Sequence, residues 1–66
     1  MITFSPLKKT LENRGISKYY LIEKGVFTYA DLTRMETNHN YTLKFIDKIC
    51  RVLNCKVEDV IEFEGD

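Results

Sequence analysis

Residues 17–36 constrain the fold of this chain most, because their sequence predicts that one helix ends and another begins within a short stretch. Ser17 predicts a helix start, since its hydroxyl can accept one of the backbone N–H groups that are unpaired there. Gly25 predicts the end of that helix, because glycine tolerates a positive φ. Thr28 and Asp31 have the spacing of a capping box,. The stretch therefore predicts two short helices joined by a tight turn.

The second of these helices is expected to span about Tyr29–Glu36 and to have one buried face, formed by Leu32 and Met35,. A helix of this length is unstable alone in water, so other segments must support it. Its opposite face is predicted to point to solvent, and it consists of Tyr29, Ala30, Thr33 and Arg34.

Three further helices are expected to provide this support. The first is predicted over about Pro6–Asn13 with Ser5 as its cap, and a fourth helix after the Thr42 cap has the clearest helical periodicity,. A short fifth helix is predicted over about 57–62. The second helix, which starts after Ser17 and is the first of the two joined by the tight turn, is expected to end near Lys24. The inward positions of the last two helices are predicted to be Leu43, Phe45, Ile46, Ile49 or Cys50, Val52, Leu53, Val57, Val60 and Ile61.

This pattern predicts an all-α fold with five helices, and no stretch requires a strand. The alternation of apolar and acidic residues over 61–64 could extend into an edge strand in a dimer,. A chain of 66 residues forms one domain with one small core,. Its 44% hydrophobic and 30% charged residues are typical of a soluble globular protein,. We expect a cytoplasmic protein, since the sequence contains no membrane-length apolar run and no signal peptide.

The net charge of the chain is zero, but its charges are unevenly distributed. Residues 1–56 contain all ten Lys and Arg against five acidic residues, whereas residues 57–66 contain the other five acids and no basic residue. A basic surface is therefore possible on a neutral molecule, although dedicated DNA-binding domains are usually more basic overall.

The reactive side chains do not form a recognisable catalytic or metal-binding motif. Cys50 and Cys55 are the only cysteines and His39 is the only histidine, so the sequence indicates neither a zinc site nor a disulfide framework,. The two cysteines could form a redox switch or could simply be small apolar core residues. We expect no catalytic residue, no metal and no cofactor, because nucleophile–base pairs and glycine-rich phosphate loops are missing from the sequence.

Three segments together resemble a known family of regulators. The segments ISKYYLIEKGVFTYADLTRM, TLKFIDKICRVLNC and VEDVIEF, with a polar loop after the first, resemble the Cro-type helix-turn-helix family of lambda-repressor-like proteins, also called the XRE family. The resemblance covers nearly the whole chain. It implies a compact five-helix domain over residues 1–66, a helix-turn-helix formed by helices 2 and 3 over about 17–36, and a short acidic end over 57–66.

The resemblance also implies which residues contact DNA. In this family the third helix enters the major groove, so its four outward residues, Tyr29, Ala30, Thr33 and Arg34, are expected to contact bases. Arg34 is the leading candidate, because a guanidinium can donate to O6 and N7 of guanine together. The expected phosphate contacts are Ser17, Lys18, Thr28, Asn38, His39, Asn40, Tyr41 and Lys44,.

The implied function is a sequence-specific DNA-binding transcriptional regulator that binds double-stranded DNA, as a homodimer on an inverted repeat. No small-molecule ligand is expected.

The alternative is a protein-interaction module with this fold but without DNA binding, such as an antirepressor, an antitoxin-like component or a phage inhibitor. Zero net charge, the acids Asp31 and Glu36, and the adjacent Tyr19 and Tyr20 favour this alternative.

One position departs from the family pattern. Ile22 replaces a residue that is usually small in the family, and we expect Gly25 to make room for it.

Overall fold

A computed structural model of the protein describes residues 1–37 and 41–65. Its elements are a strand β1 at Ile2–Thr3, helices α1 at Ser5–Arg14, α2 at Lys18–Glu23, α3 at Tyr29–Glu36 and α4 at Leu43–Leu53, a 3-10 turn at Val57–Asp59, and a strand β2 at Glu62–Phe63.

The pair of short helices forms as the sequence predicts, and α3 has the predicted bounds. The Ser17 hydroxyl accepts the N–H of Tyr19 at 3.1 Å, which caps α2. The Thr28 hydroxyl accepts the N–H of Asp31 at 3.1 Å, and the Asp31 carboxylate accepts the N–H of Thr28 at 3.0 Å. This reciprocal capping box fixes the start of α3 by local contacts alone,.

Gly25 ends the first of these helices for a conformational reason, not a steric one. Its φ is +77°, a left-handed conformation that side chains disfavour,. A Cβ atom at this position would have no heavy atom within 4 Å. The expectation that Gly25 makes room for Ile22 is therefore wrong. Ile22 is half-buried and packs against the core.

The start of α1 differs from the prediction that Ser5 caps it. Ser5 is the first residue of the helix and Phe4 occupies the cap position, where no side chain caps the helix. The Ser5 hydroxyl contacts Thr3 and Glu64 instead, at 3.3 and 3.4 Å. The other end of α1 is as predicted, with Arg14 in the last turn and the following glycine at a φ of +65°,.

The core lies on the inner face of α4, but this face is narrower than predicted. Ile46, Ile49 and Leu53 are buried, as expected from their spacing. Leu43 and Val52 are exposed, which corrects their prediction as core residues. At 100° per residue these two positions point about 90° away from the centre of the buried face. The apolar pattern of α4 is thus broader than the surface that the rest of the chain can cover.

The C-terminal segment corrects the prediction of a fifth α-helix over 57–62. It forms only the 3-10 turn, in which Val57 is exposed, and then continues as β2. The two strands pair antiparallel, with Ile2 opposite Phe63 and Thr3 opposite Glu62. The segment becomes a strand because the N-terminus of the same chain offers it a partner, which periodicity within the segment cannot reveal.

Side chains of α1 hold this C-terminal segment in place. The Thr10 hydroxyl donates to the carbonyl of Asp59 at 2.7 Å. The Arg14 guanidinium donates to the carbonyls of Leu53 and Asn54 at the end of α4.

Among the residues that the structure describes, no helix is long and apolar enough to span a membrane.

Candidate functional site

The outer face of α3 is open to solvent over its whole length. Tyr29, Ala30, Thr33 and Arg34 are all exposed, as predicted from their positions. On the opposite side Met35 is buried in the core. The capping box at one end and this buried anchor at the other hold a short helix in a defined orientation,.

Asp31 lies on α3 but its carboxylate is used by the protein itself. The carboxylate accepts the N–H of Thr28 at 3.0 Å and the hydroxyl of Tyr41 at 3.1 Å. The backbone bond from Thr28 is the main cause that lowers the pKa of Asp31, and the bonds from Tyr41 and the Thr28 hydroxyl and the charge of Arg34 add to it, while burial opposes it. The carboxylate is therefore ionised and satisfied by internal donors.

Glu36, the second acid near this face, forms an ion pair that sequence reasoning missed. Its carboxylate lies 3.3 Å from the ammonium of Lys18, and both side chains are partly exposed. The pair joins the start of α2 to the end of α3. The two residues are far apart in sequence, so no local pattern reveals their contact. Lys18 thus already has an anionic partner in the free protein.

Tyr19 belongs to the same surface and was missing from the predicted contact set. Its ring centroid lies 6.2 Å from that of Tyr29 with an angle of 43° between the planes. The ammonium of Lys18 lies 5.5 Å from the Tyr19 centroid. The neighbouring Tyr20 has a different partner, since Lys24 lies 5.4 Å from its ring centroid. The adjacent tyrosines were visible in the sequence, but only the packing of α2 on α3 shows which one adjoins Tyr29.

Apart from Lys18 and Tyr41, the expected phosphate contacts fall into three groups. Ser17 and Thr28 are exposed at the starts of α2 and α3, and a hydroxyl that accepts a backbone N–H can still donate its own proton,. Lys44 is exposed in the first turn of α4. The predicted contacts at 38–40, which are Asn38, His39 and Asn40, lie outside the described residues.

Tyr41 has a structural role that its prediction as a phosphate contact did not anticipate. Its ring stacks on Phe45 at 4.1 Å and meets the edge of Phe4 at 5.7 Å. Its hydroxyl donates to the carbonyl and the carboxylate of Asp31, at 3.0 and 3.1 Å. Because a phenol has one proton to donate, this contact leaves none for a phosphate. Tyr41 instead supports the first turn of α3 from the core side.

The cysteines belong to neither α2 nor α3. Cys50 and Cys55 are not joined by a disulfide, and both are half-buried and packed against the core. Burial, followed by the neighbouring Cys50 thiol, raises the pKa of Cys55. Among the described residues, no group of three or more His, Cys, Asp or Glu could hold a metal ion.

Comparison with known proteins relates this arrangement to regulators. Residues 6–66 match the model of the Cro/C1-type HTH DNA-binding domain. The crystal structure of the transcriptional regulator VanUg, form II, is similar to this chain with a TM-score of 0.86 and 28% sequence identity. The match covers 98% of this chain and 87% of that one. No curated protein sequence matches the chain.

Proposed function

Because the chain belongs to the Cro/C1-type helix-turn-helix family, we propose that it is a sequence-specific transcriptional regulator that places α3 in the major groove of DNA,. The observation that carries the proposal is the outer face of α3, where Tyr29, Ala30, Thr33 and Arg34 are exposed together on a capped helix. The acids near this face have internal partners, which reduces the repulsion that they would exert on DNA.

Arg34 is the proposed main base contact. Its guanidinium can donate to O6 and N7 of guanine at the same time, which discriminates guanine from other bases. Tyr29 and Ala30 present apolar groups, which suit the methyl group of thymine. The hydroxyl of Thr33 donates to the carbonyl of Tyr29 at 3.2 Å in the free protein, so it would have to rotate to donate to a base.

Phosphate contacts are proposed for Ser17, Lys18 and Thr28, together with Lys44 and the loop residues Asn38, His39 and Asn40. Ser17 and Thr28 lie at helix starts, where the unpaired N–H groups and the helix dipole favour an anion. Lys18 would exchange the Glu36 carboxylate for a phosphate. Binding should therefore weaken as salt rises, because neutralised phosphates release counterions.

We further propose that the protein binds as a homodimer to an inverted repeat. A helix of eight residues contacts only a few base pairs, and a two-fold symmetric site doubles the sequence that is recognised,.

The experiment that tests this function is selection of duplexes from a randomised pool, followed by fluorescence-anisotropy binding at two salt concentrations. Arg34→Ala should weaken binding to the selected duplex about 5- to 150-fold and binding to a random duplex much less. Arg51→Ala is the matched control, since Arg51 is an exposed arginine of α4 that pairs with Asp47. Its loss removes one positive charge but leaves α3 intact.

Two outcomes would contradict the proposal. Retained sequence preference in Arg34→Ala would exclude the proposed role of α3. No binding to any duplex at low salt would favour the second candidate, a protein-interaction module, which the zero net charge and the exposed tyrosines also support. A pull-down with the purified chain as bait would then be the next measurement.

A further inference from the structure

We infer that Tyr19 and Tyr29 form one apolar binding surface for thymine methyl groups at the N-terminal end of α3. The inference rests on the proposed function and extends it, because Tyr19 belongs to α2 and not to the helix that enters the groove. The structure places the two rings side by side, with their centroids 6.2 Å apart.

The position of this aromatic pair suits contact with bases. Tyr29 is the first residue of α3, and the N-terminal residues of such helices lie nearest the base edges,. Successive bases on one strand are about 3.4 Å apart along the helix axis, so the separation of the rings corresponds to about two base steps. Two pyrimidines separated by one base on the same strand could therefore each contact one ring.

The exposed ring carbons of Tyr19 and Tyr29 favour contact with an apolar group of the DNA. Both rings remain more than half exposed, at 55% for Tyr19 and 64% for Tyr29. The 5-methyl of thymine is the one apolar group that base pairs display in the major groove, so it is the group that exposed ring carbons can bury there. Lys18 also lies beside this pair of rings, since its ammonium is 5.5 Å from the Tyr19 centroid and is paired with Glu36.

Tyr20 provides a control within the same helix. It is the same residue type, is 50% exposed, and has a lysine at nearly the same distance from its ring as Tyr19 has. Its cationic partner is Lys24 at the end of α2, whereas Tyr19 adjoins α3. A difference between the two alanine variants therefore reports the contact with Tyr29 and not the loss of an exposed tyrosine.

The test uses the selected duplex and copies in which single thymidines are replaced by deoxyuridine, which removes only the methyl group. For the wild-type protein we expect replacement of either of two thymidines, about two base steps apart, to weaken binding about fourfold, the value for one buried methyl. Tyr19→Ala should abolish the loss at one of these positions. Tyr19→Phe and Tyr20→Ala should retain it, and circular dichroism should show that all three variants are folded.

An unchanged deoxyuridine effect in Tyr19→Ala would overturn the inference. So would a selected site in which no thymine methyl affects binding, or an effect that Tyr20→Ala removes equally. Loss of the effect in Tyr19→Phe would assign the role to the hydroxyl and would also overturn it. These results differ from failure of the proposed function itself, in which the wild-type protein would select no sequence.

Discussion

The helix-turn-helix unit and the two chain ends are held together by different kinds of contact. In the unit, the caps at Ser17 and Thr28 join residues two or three positions apart. At the ends, Met1 bonds to Glu64 and Thr10 to Asp59, over separations of 63 and 49 residues. The helices of the surface proposed to bind DNA thus start at local caps, while the body that supports them depends on closure of the whole chain. Mutations that remove a cap and mutations that remove a long-range contact should therefore have separable effects.

Tyr41 connects the two regions. Its ring contacts Phe4, which follows β1, and its hydroxyl contacts Asp31 in the capping box of α3. A contact near the paired chain ends and the capping of α3 therefore involve the same side chain. Thus the supporting body contributes to the start of α3 even though the cap itself is local.

The largest effect is expected from Val60→Ala, which tests the long-range region. Val60 is fully buried in the core, so its truncation should lower the free energy of unfolding by about 2–3 kcal/mol through lost burial and a residual cavity,. Val57→Ala is the matched control, because Val57 is 55% exposed in the 3-10 turn that Val60 directly follows and should change stability by less than about 0.5 kcal/mol,. Urea denaturation measures both. Equal effects would mean that the 3-10 turn does not complete the core.

A smaller effect is expected from Asp31→Asn, which tests the local region. The pKa of Asp31 is lowered in the folded protein, chiefly by the N–H of Thr28. The ionised carboxylate therefore stabilises the fold fully above the unfolded pKa, near 3.8. This stabilisation is lost as the pH falls through the lower pKa of the folded protein. At pH 7 the variant should be about 1 kcal/mol less stable than wild type, as for loss of a cap. This difference should shrink below about pH 4.

The control for this pH dependence is Asp47→Asn, an exposed carboxylate paired with Arg51 on α4. Urea denaturation at pH 7 and at pH 3 compares the variants. If the stability difference of Asp31→Asn were the same at both pH values, the ionised carboxylate would not be the stabilising group.

The same division between local and long-range contacts explains what the sequence could predict. The caps at Ser17, Thr28 and Thr42 were identified because each depends on residues no more than three positions away. The pairing of β1 with β2 was not, because β1 has no recognisable pattern and the alternation over 61–64 does not reveal which segment it pairs with.

The candidate site shows this division as well. The outward face of α3 followed from helical periodicity, and its four residues are exposed together. Tyr19 beside Tyr29 and Lys18 beside Glu36 depend on the packing of α2 against α3, which no spacing within one helix determines. Tyr41 was expected to contact a phosphate because the family resemblance groups it with the polar loop, whereas its ring contacts two phenylalanines and its hydroxyl bonds to Asp31.

The smallest effect is expected from Glu36→Gln, which removes a contact between α2 and α3 within the proposed binding surface. Stability should change by less than about 1 kcal/mol, because exposed ion pairs contribute little,. Affinity for selected and random duplexes should rise alike by about 1.5- to 5-fold, since Lys18 no longer has to leave a carboxylate to reach a phosphate. The gain should diminish as salt rises, because screening weakens the original ion pair.

Glu23→Gln is the control for this change, because Glu23 is an exposed acid in the last turn of α2. Anisotropy titrations of both variants at two salt concentrations separate a general charge effect from the release of Lys18. A gain confined to the selected duplex would mean that Glu36 affects base recognition. Equal gains for both variants would mean that the loss of one negative charge explains the effect, and that the Lys18–Glu36 contact does not restrain Lys18.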